Sequence, residues 1–494
     1  MLLSDLLKVI EYKTIFNAVP EAEILSVCRD SRLAEPGSLF VCIKGTAIDG
    51  HDFARSAYSK GARLFLAERA LDLPDDATVT IVPDTRRGLA EASAEFYGHP
   101  EKKLCIVGIT GTKGKTTTAL TSYGVLNAAG ISTGYIGSNG VRFASYSYQT
   151  ANTTPESCEL YKYMRLMVDA GVECLVMEVS SQAIYMQRIH GITFETCAFT
   201  NLYHDHIGGV EHPTFEHYRD CKRRLFTDFG AKNVIYNADD AHAEYMIAGA
   251  NGKMISCTCE DKPCDFIASS IKIPGENGKL CVSFDIKQGR DHSRTSIGMP
   301  GLFSVYNALL TTAICHTLGL SLFQTSKLLP NVSIDGRFEI IDALPNASFV
   351  IDYAHNGASL EAALNALREY KPRRIICLFG SVGGRTFGRR RELGEAAARL
   401  ADFCILTSDN PAHESPEKII DEIAECFKKD GSCPYIKIAD RREAIRYAVK
   451  NARRGDIILL AGKGHENYQL VGDRKLPFSE RAIVLEAVEE LLEV

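Results

Sequence analysis

The 494-residue sequence has no apolar run long enough to span a bilayer, and its opening MLLSDLLKVIEYK interrupts a short apolar pattern with acids and lysines. These absences argue for a soluble, cytoplasmic protein without membrane insertion. A basic balance is missing as well. The formal net charge is -6, which argues against an electrostatic nucleic-acid binder while leaving room for local basic pockets that hold phosphates. Cysteine is not scarce, at 16 residues, but pairing is. Many sit singly inside apolar runs such as KLCIVG, ECLVMEV and IICLFG, where a free thiol acts as a small hydrophobe in a reducing compartment. Cys257, Cys259 and Cys264 cluster with no matching second pair and no nearby His, so a structural zinc is not expected. No low-complexity segment or short-period repeat is visible, and the run Arg389, Arg390, Arg391 reads as a solvated helix start.

What is present is ordinary globular composition, 45% hydrophobic and 24% charged, over a length that suits about three domains. Residues 1–99 hold short strand-like runs (SLFVCI, RLFLAE, TVTIV) and close at FYGHP. From KLCIVGIT onward, across 100–336, apolar runs alternate with helical patterns, the grammar of a mostly parallel sheet covered by helices. Across 337–494 the pattern restarts with five strand candidates: SFVIDYAH, RIICLFGS, FCILTSDN, YIKIAD and DIILLAGKG. A doubly wound domain follows, whose ligands bind beyond the carboxyl ends of the strands. Four loops at such ends carry clustered polar residues: DYAHNG, GSVGGRTFGRR, SDNPAHE and GKGHENY.

The strongest chemical motif is VGITGTKGKTTT, residues 107–118, between a strand and a helix. Its segment Gly111, Thr112, Lys113, Gly114, Lys115, Thr116, Thr117 presents backbone N–H groups and a helix N-terminus to phosphate oxygens. Lys115 adds a point charge, and the Thr116 hydroxyl is placed to reach Mg2+. The usual loop has glycine five residues before the Gly-Lys pair; Ile109 stands there, between Gly108 and Gly111. A metal ligand is expected from a neighbouring strand, and CLVMEVSS supplies Glu178. TNLYHDHIGG ends a further strand with His204, Asp205 and His206, suited to a second cation or its water shell. The guanine-reading pattern of GTPases is absent, since VIYNADD lacks its Lys. A helicase or motor would bring basic surface and aromatic platforms. The remaining large class uses ATP to activate a carboxylate and needs two substrate pockets besides the nucleotide.

TGTKGKTTT, the MEVSS strand, TNL followed by DH, YNAL, GRFE, DYAH, the DNP loop and GKGHE stand in the order found in the Mur ligase family, and the chain resembles most its UDP-N-acetylmuramoyl-tripeptide synthetases. The resemblance covers essentially the whole chain. It implies a three-domain α/β fold: a small N-terminal α/β domain, a central P-loop parallel sheet with helices, and a C-terminal Rossmann-like sheet. It also implies a monomer using ATP and Mg2+ at two sites to extend UDP-N-acetylmuramoyl-L-alanyl-D-glutamate by one amino acid. UDP-substrate contacts are implied at Ser31, Lys44, Gly45, His51, Asn152, Thr153, Thr154, Ser180 and Arg188. A glutamine expected two residues before Arg188 is replaced by Met186, with Gln187 shifted by one. Lys222, which reads on its own as the solvated face of a basic helix, matches a lysine that the family carbamylates to help bind the second Mg2+. Lys115, Glu178, His206 and Lys222 form the implied catalytic set, with Thr116, Glu178, His206 and Lys222 around metal. Asn307, Arg337, Asp352 and His355 match further ATP contacts.

The implied amino-acid site comprises Arg385, Asp409, Asn410, Ala412, Gly462 and Glu466. Family members that add meso-diaminopimelate are expected to carry Arg directly after DNP, as a fork for the far carboxylate. Ala412 stands there, so the expected donor is L-lysine. Diaminopimelate is the alternative, with Arg389 or Arg390 reaching its carboxylate; ornithine, served by His413 or Glu414, is a further one. A nucleotide-binding scaffold without ligase activity is the reading from another class.

Overall fold

Three sheets organise the chain in the computed structural model, which describes all residues except 46–47, 205–206, 209–210, 274–279, 346, 385–386, 431–432 and 494. By internal contacts the chain divides into two compact units, Met1–Ile267 with Leu309–Thr325, and Ala268–Ala308 with Ser326–Val494.

In the first unit, a five-stranded sheet runs Thr14–Phe16, Thr78–Ile81, Leu64–Ala67, Ser38–Val41, Ser26–Cys28. Its first strand is antiparallel to its neighbour and the other pairings are parallel. Successive strand residues point to opposite faces, and here both faces are covered. Leu64 and Leu66 join one core with Leu39, Val41 and Leu89, while Phe65 and Ala67 join another with Phe40 and Val79. That is why LFLA reads as continuous rather than alternating apolar sequence. The helix Thr85–Phe96 on one face starts where Asp84 accepts from the N–H groups of Arg86 and Arg87, an N-cap that satisfies two otherwise orphaned donors.

The larger sheet of this unit runs Lys253–Thr258, Ala231–Asn237, Phe194–Phe199, Cys105–Thr110, Cys174–Glu178, Thr133–Gly137, and then an antiparallel edge, Gly140–Phe143 and Tyr146–Tyr148. Its strands from Lys253–Thr258 to Thr133–Gly137 are parallel. Cys105–Thr110 lies at its centre, so everything beyond its carboxyl end is flanked by two more strand ends. Gly108 lets the sheet close there, since a Cβ at that position would sit 2.7 Å from the Phe194 ring.

The second unit carries a six-stranded sheet, in the order Glu339–Leu344, Ala347–Asp352, Asp456–Ala461, Arg374–Phe379, Phe403–Leu406, Tyr435–Lys437. All its pairings are parallel except the first. The five expected strands are present. Glu339–Leu344 is an addition: an antiparallel edge strand with an irregular register, whose half-buried residues mask the period-2 signal. The hairpin Tyr468–Val471 and Arg474–Pro477 is another. Helices Arg441–Lys450 and Glu480–Leu492 press Ile445, Ala448, Ile483 and Val484 against Phe349, Ile376, Leu378 and Ile458 of the sheet. No helix among the described residues is long and apolar enough to cross a membrane.

Candidate active site

The chain leaves the central strand at Gly111 with φ +147°, where a Cβ would lie 1.9 Å from Thr200 Oγ1. Only glycine fits so close an approach. The neighbouring strand end grips the loop: Thr200 Oγ1 donates to the Lys113 carbonyl (2.7 Å), Asn201 accepts from the Lys113 N–H (2.9 Å), and Asn201 Nδ2 donates to the same carbonyl (3.1 Å). Gly114, at φ +82°, then turns the chain into the helix Lys115–Ala128. Lys115 Nζ donates to the carbonyls of Gly111 (2.8 Å) and Thr112 (3.0 Å). Lys222 Nζ donates to the Gly111 carbonyl too, also at 2.8 Å. Two ammonium groups from distant parts of the chain therefore converge on one loop oxygen, an arrangement that favours an anion there.

Lys222 is 2% exposed, so the solvated-face reading of its helix is corrected. The helix Phe215–Thr227 buries Tyr218, Cys221, Lys222, Leu225 and Phe226, a stripe at helical spacing, and turns Arg219, Arg223 and Arg224 outward. Tyr218 hydrogen-bonds Thr112 Oγ1 at 3.0 Å and lies under the Lys222 ammonium, 4.7 Å from ring centroid to Nζ.

Glu178 is fully buried at the end of its strand. It accepts from Thr116 Oγ1 (2.9 Å), Tyr135 Oη (2.7 Å) and the Ser138 N–H (2.9 Å). A buried carboxylate beside the hydroxyl at the start of the P-loop helix is a hard-oxygen donor set of the kind Mg2+ takes. His206 and its neighbour Asp205 lie outside the described residues, and His204 stacks on Phe215 with centroids 4.1 Å apart.

The same strand end holds the 152–154 loop. Thr154 Oγ1 donates to the Glu178 carbonyl (2.9 Å) and accepts from the Ser180 N–H (3.1 Å). Thr153 Oγ1 lies 3.0 Å from Ser138 Oγ, and Arg188 donates to the Thr154 carbonyl (3.1 Å). Thr153, Thr154, Ser180 and Arg188 thus form one neighbourhood with Glu178, Asn152 directly precedes Thr153 in the chain, and Ser180 also caps the helix that follows it. Arg188 pairs with Glu156 at 3.0 Å.

In the five-stranded sheet, Ser31 opens a 3-10 turn that Asp30 caps. His51 is 7% exposed and both ring nitrogens are engaged: Nδ1 lies 2.6 Å from Asp49 and Nε2 accepts from the Glu68 N–H at 3.0 Å. Those bonds make His51 a brace for the turn. Lys44 and Gly45 sit on that turn, exposed.

In the second unit, Asp352 is buried against the Phe338 N–H (3.0 Å), and burial raises its carboxyl above the usual range. The Arg337 guanidinium lies over the Tyr353 ring at 4.9 Å, and His355 Nδ1 donates to the Tyr353 carbonyl at 2.8 Å. Asn307 is buried in this unit, on the helix Leu302–Thr317.

All four polar loops meet at the carboxyl edge of the six-stranded sheet, around a cavity of about 330 Å3 lined by His355, Ser381, Arg389, Asp409, Ala412 and Glu466 among others. Beneath it, Lys463 is fully buried and bridges Asn410 Oδ1 and Glu466, each at 3.0 Å, while Asn410 Nδ2 donates to Glu466 at 2.8 Å. Asp409 is buried, which raises its carboxyl although Arg441 and Lys463 oppose the shift. Gly462, at φ +111°, leaves room for it: a Cβ there would stand 2.6 Å from Asp409 Oδ2. Arg441 ties two strand ends together, donating to the carbonyls of Ser408 (3.1 Å) and Ala461 (2.8 Å) and pairing with buried Glu480. Sequence reasoning passed over Lys463 and Arg441, as it did Tyr135, Asn201 and Tyr218.

The arginine run divides three ways. Arg389 lines the cavity. Arg390 is buried between Glu414 and Glu422, and its guanidinium holds the Glu414 carboxyl down at about 2. Arg391 pairs with Glu395 on the surface. Neither Arg390 nor Glu414 is at liberty to meet a substrate, which corrects both as expected contacts, and His413 pairs with Asp473 in solvent. Arg385 lies outside the described residues.

Sequence models for the Mur ligase catalytic domain, middle domain and glutamate ligase domain match residues 23–97, 109–315 and 336–464. A UDP-N-acetylmuramoyl-L-alanyl-D-glutamate--2,6-diaminopimelate ligase of Caldanaerobacter subterraneus subsp. tengcongensis is 39% identical over 490 residues, 99% of both chains. The chain belongs to the Mur ligase family. It is an ATP-dependent ligase that forms amide bonds, so the scaffold reading falls away. A Clostridium botulinum ligase of the same name is 37% identical over 99% of this Mur ligase and 100% of its own length. A solved structure named as that 2,6-diaminopimelate ligase superposes with TM-score 0.72 at 26% identity, all of both chains covered. A Thermotoga maritima MurF ligase in complex with ADP shares the three-domain α/β fold, at TM-score 0.58 and 18% identity, over 95% of this chain and 97% of its own. The names of these relatives favour diaminopimelate, the alternative of the sequence reading, over lysine.

Proposed function

We propose that this Mur ligase joins 2,6-diaminopimelate to the D-glutamyl carboxylate of UDP-N-acetylmuramoyl-L-alanyl-D-glutamate, with ATP cleaved to ADP and phosphate. Domain bounds of 1–99, 100–336 and 337–494 go with this reading; the matched spans 23–97 and 109–315 lie inside the first two, and 336–464 begins one residue before the third. The observation that carries the choice of amino acid is the cavity at the C-terminal sheet edge. Diaminopimelate differs from lysine by a second carboxylate at the far end. Arg389 supplies a cation on the cavity wall, whereas Arg390 is held by two glutamates. A guanidinium fork can hold a carboxylate through two parallel hydrogen bonds. Ala412 leaves the space, and Arg389 supplies the charge. Glu466 and Asp409 face the ammonium groups.

Lys115 and Lys222 now both rest on the Gly111 carbonyl; when the loop is filled, the Lys115 ammonium turns toward the phosphates. Glu178 and Thr116 would hold Mg2+, which would supply charge neutralisation for the transferring phosphoryl group. A carboxylate oxygen of D-glutamate bonds to the γ-phosphorus as the bond to ADP breaks. The amine then bonds to the acyl carbon, the C–O bond to phosphate breaks, and the surplus amine proton passes to solvent. Lys222 gives up two protons to the medium and takes up CO2 as a carbamate, and so would exchange an ammonium for oxygens suited to a second Mg2+; 13C-bicarbonate labelling checks this through a carbamate carbon resonance that Lys222→Ala lacks. The UDP-sugar peptide lies along Asn152, Thr153, Thr154, Ser180 and Arg188, with Ser31, Lys44 and Gly45 toward its nucleotide. The test is phosphate release: turnover is expected only when the sugar dipeptide and diaminopimelate are both supplied. Release that ignores the amino acid would overturn the proposal.

A further inference from the structure

Outside the nucleotide and amino-acid sites, one cluster of side chains brings soft ligand atoms together. His212, His217 and Cys221 place one ligand atom each within 4.8 Å of the others, and among the described residues no other His, Cys or carboxylate group of three does so. We propose that these three side chains form a binding site for a borderline-soft divalent ion of the zinc class, separate from the magnesium sites.

The local fold explains the convergence. His217 and Cys221 are four residues apart on the helix Phe215–Thr227, so they share a face. That helix starts at Thr214, whose hydroxyl accepts from the His217 N–H, which fixes the first ligand's place on the first turn. His212 arrives from the preceding loop and is 1% exposed. Its Nε2 lies 2.8 Å from Ser181 Oγ, and its Nδ1 lies 2.8 Å from His217 Nδ1. With Nε2–H donating to the serine, Nδ1 carries the lone pair that faces the cluster; metal-bound histidines are held by such a bond from the other ring nitrogen. Cys221 Sγ is 3.8 Å from His217 Nδ1.

Tetrahedral zinc, with its usual bond lengths to nitrogen and sulfur, sets about 3.3 Å between two nitrogens and about 3.6 Å between nitrogen and sulfur. The observed separations of 2.8 and 3.8 Å differ from these by half an ångström or less, within the reach of small ring rotations. On binding, the ion takes the position of the proton shared by the two Nδ1 atoms. His217 then carries its proton on Nε2, and the thiol gives its own to the medium. Three protein ligands leave a fourth place for water. Tyr185, half exposed and 5.0 Å edge-on to His217, marks the solvent side from which an ion enters. Imidazole and thiolate select the zinc end of the divalent series, and the oxygen set at Glu178 and Thr116 selects magnesium. Because Cys221 directly precedes Lys222, an ion here also pins the helical turn that presents Lys222 to the P-loop.

The test is titration of the chelator-washed full-length protein with Co2+, followed by displacement with Zn2+. The expected result is one ion per chain, with visible bands of tetrahedral intensity and a thiolate-to-cobalt charge-transfer band that Zn2+ removes. Cys221→Ser should abolish the charge-transfer band, and His217→Asn should weaken binding by at least about a hundredfold, since losing an outer-shell partner alone costs up to that much, both with unchanged far-ultraviolet circular dichroism. Cys259→Ser, in the other cysteine cluster, should leave the spectrum as it is. A band that survives Cys221→Ser, a band lost in Cys259→Ser, or no band in the unaltered protein would each overturn the site.

Discussion

The P-loop and the amino-acid cavity hold charge in opposite ways. At the P-loop, most of the machinery comes from a few consecutive residues whose backbone conformation is forced, as at Gly111 and Gly114, and the partners that matter, Glu178 and Lys222, are buried against it. At the cavity, four loops separated by up to about a hundred residues contribute one to three side chains each, and their placement depends on a buried layer beneath, Lys463 and Arg441. A site built from one contiguous loop is set by its own backbone; one assembled from many loops can be altered through a single side chain.

The largest effect should come from removing the buried carboxylate on the P-loop side. Glu178→Ala strips the acceptor from Thr116, Tyr135 and Ser138 and removes the proposed magnesium ligand. Ligase activity should fall by about a thousandfold or more, with a loss of about 2–4 kcal/mol in denaturant unfolding. Near-normal activity would break the assignment of Glu178.

On the cavity side, Glu480→Ala leaves Arg441 as an uncompensated buried charge, which costs about 3–5 kcal/mol. The accompanying change should be a raised KM for the amino acid with the KM for ATP little altered, because Arg441 ties together strand ends beneath that cavity alone. Equal rises in both would blur the contrast between the two regions.

Arg389→Ala sharpens it further. The kcat/KM for diaminopimelate should drop about a hundredfold, equivalent to roughly 2.7 kcal/mol, while the weaker use of lysine stays within a few fold. The smallest effect concerns pH. The Arg390 guanidinium depresses the Glu414 carboxyl to about 2. The ion pair therefore contributes its stability in full above the unfolded carboxylate value and loses it as pH falls toward 2. Glu414→Gln should flatten acid unfolding over that window and lower the midpoint at neutral pH by a few degrees.

These two regions also differ in how far the sequence discloses them. VGITGTKGKTTT carries its structure locally, and the alternation of strands and helices sufficed to place four polar loops on one sheet edge. Lys222 was hidden because its helix, FEHYRDCKRRLF, is rich in charge; the inward stripe of Tyr218, Cys221, Lys222 and Leu225 emerges only when helical phase is set by the packed face. Three successive arginines look alike in sequence. Their separate fates, cavity wall, buried clamp and surface pair, follow from where the glutamates of the next helix and loop come to lie. The edge strand Glu339–Leu344 and the hairpin at Tyr468–Pro477 are short and largely uncovered, so hydrophobic periodicity had little to act on. The preference for lysine drawn from Ala412, against which the names of the relatives weigh, rested on one position, weighed without knowing which neighbouring cation lines the cavity.

The most direct test of this account is a competition in one vessel: the ligase, Mg2+ and ATP, the UDP-sugar dipeptide, and equal concentrations of meso-diaminopimelate and L-lysine, with the products separated by mass. The account predicts the diaminopimelate product in large excess, and near parity between the two products with Arg389→Ala. A lysine product dominating with the unaltered protein would contradict it.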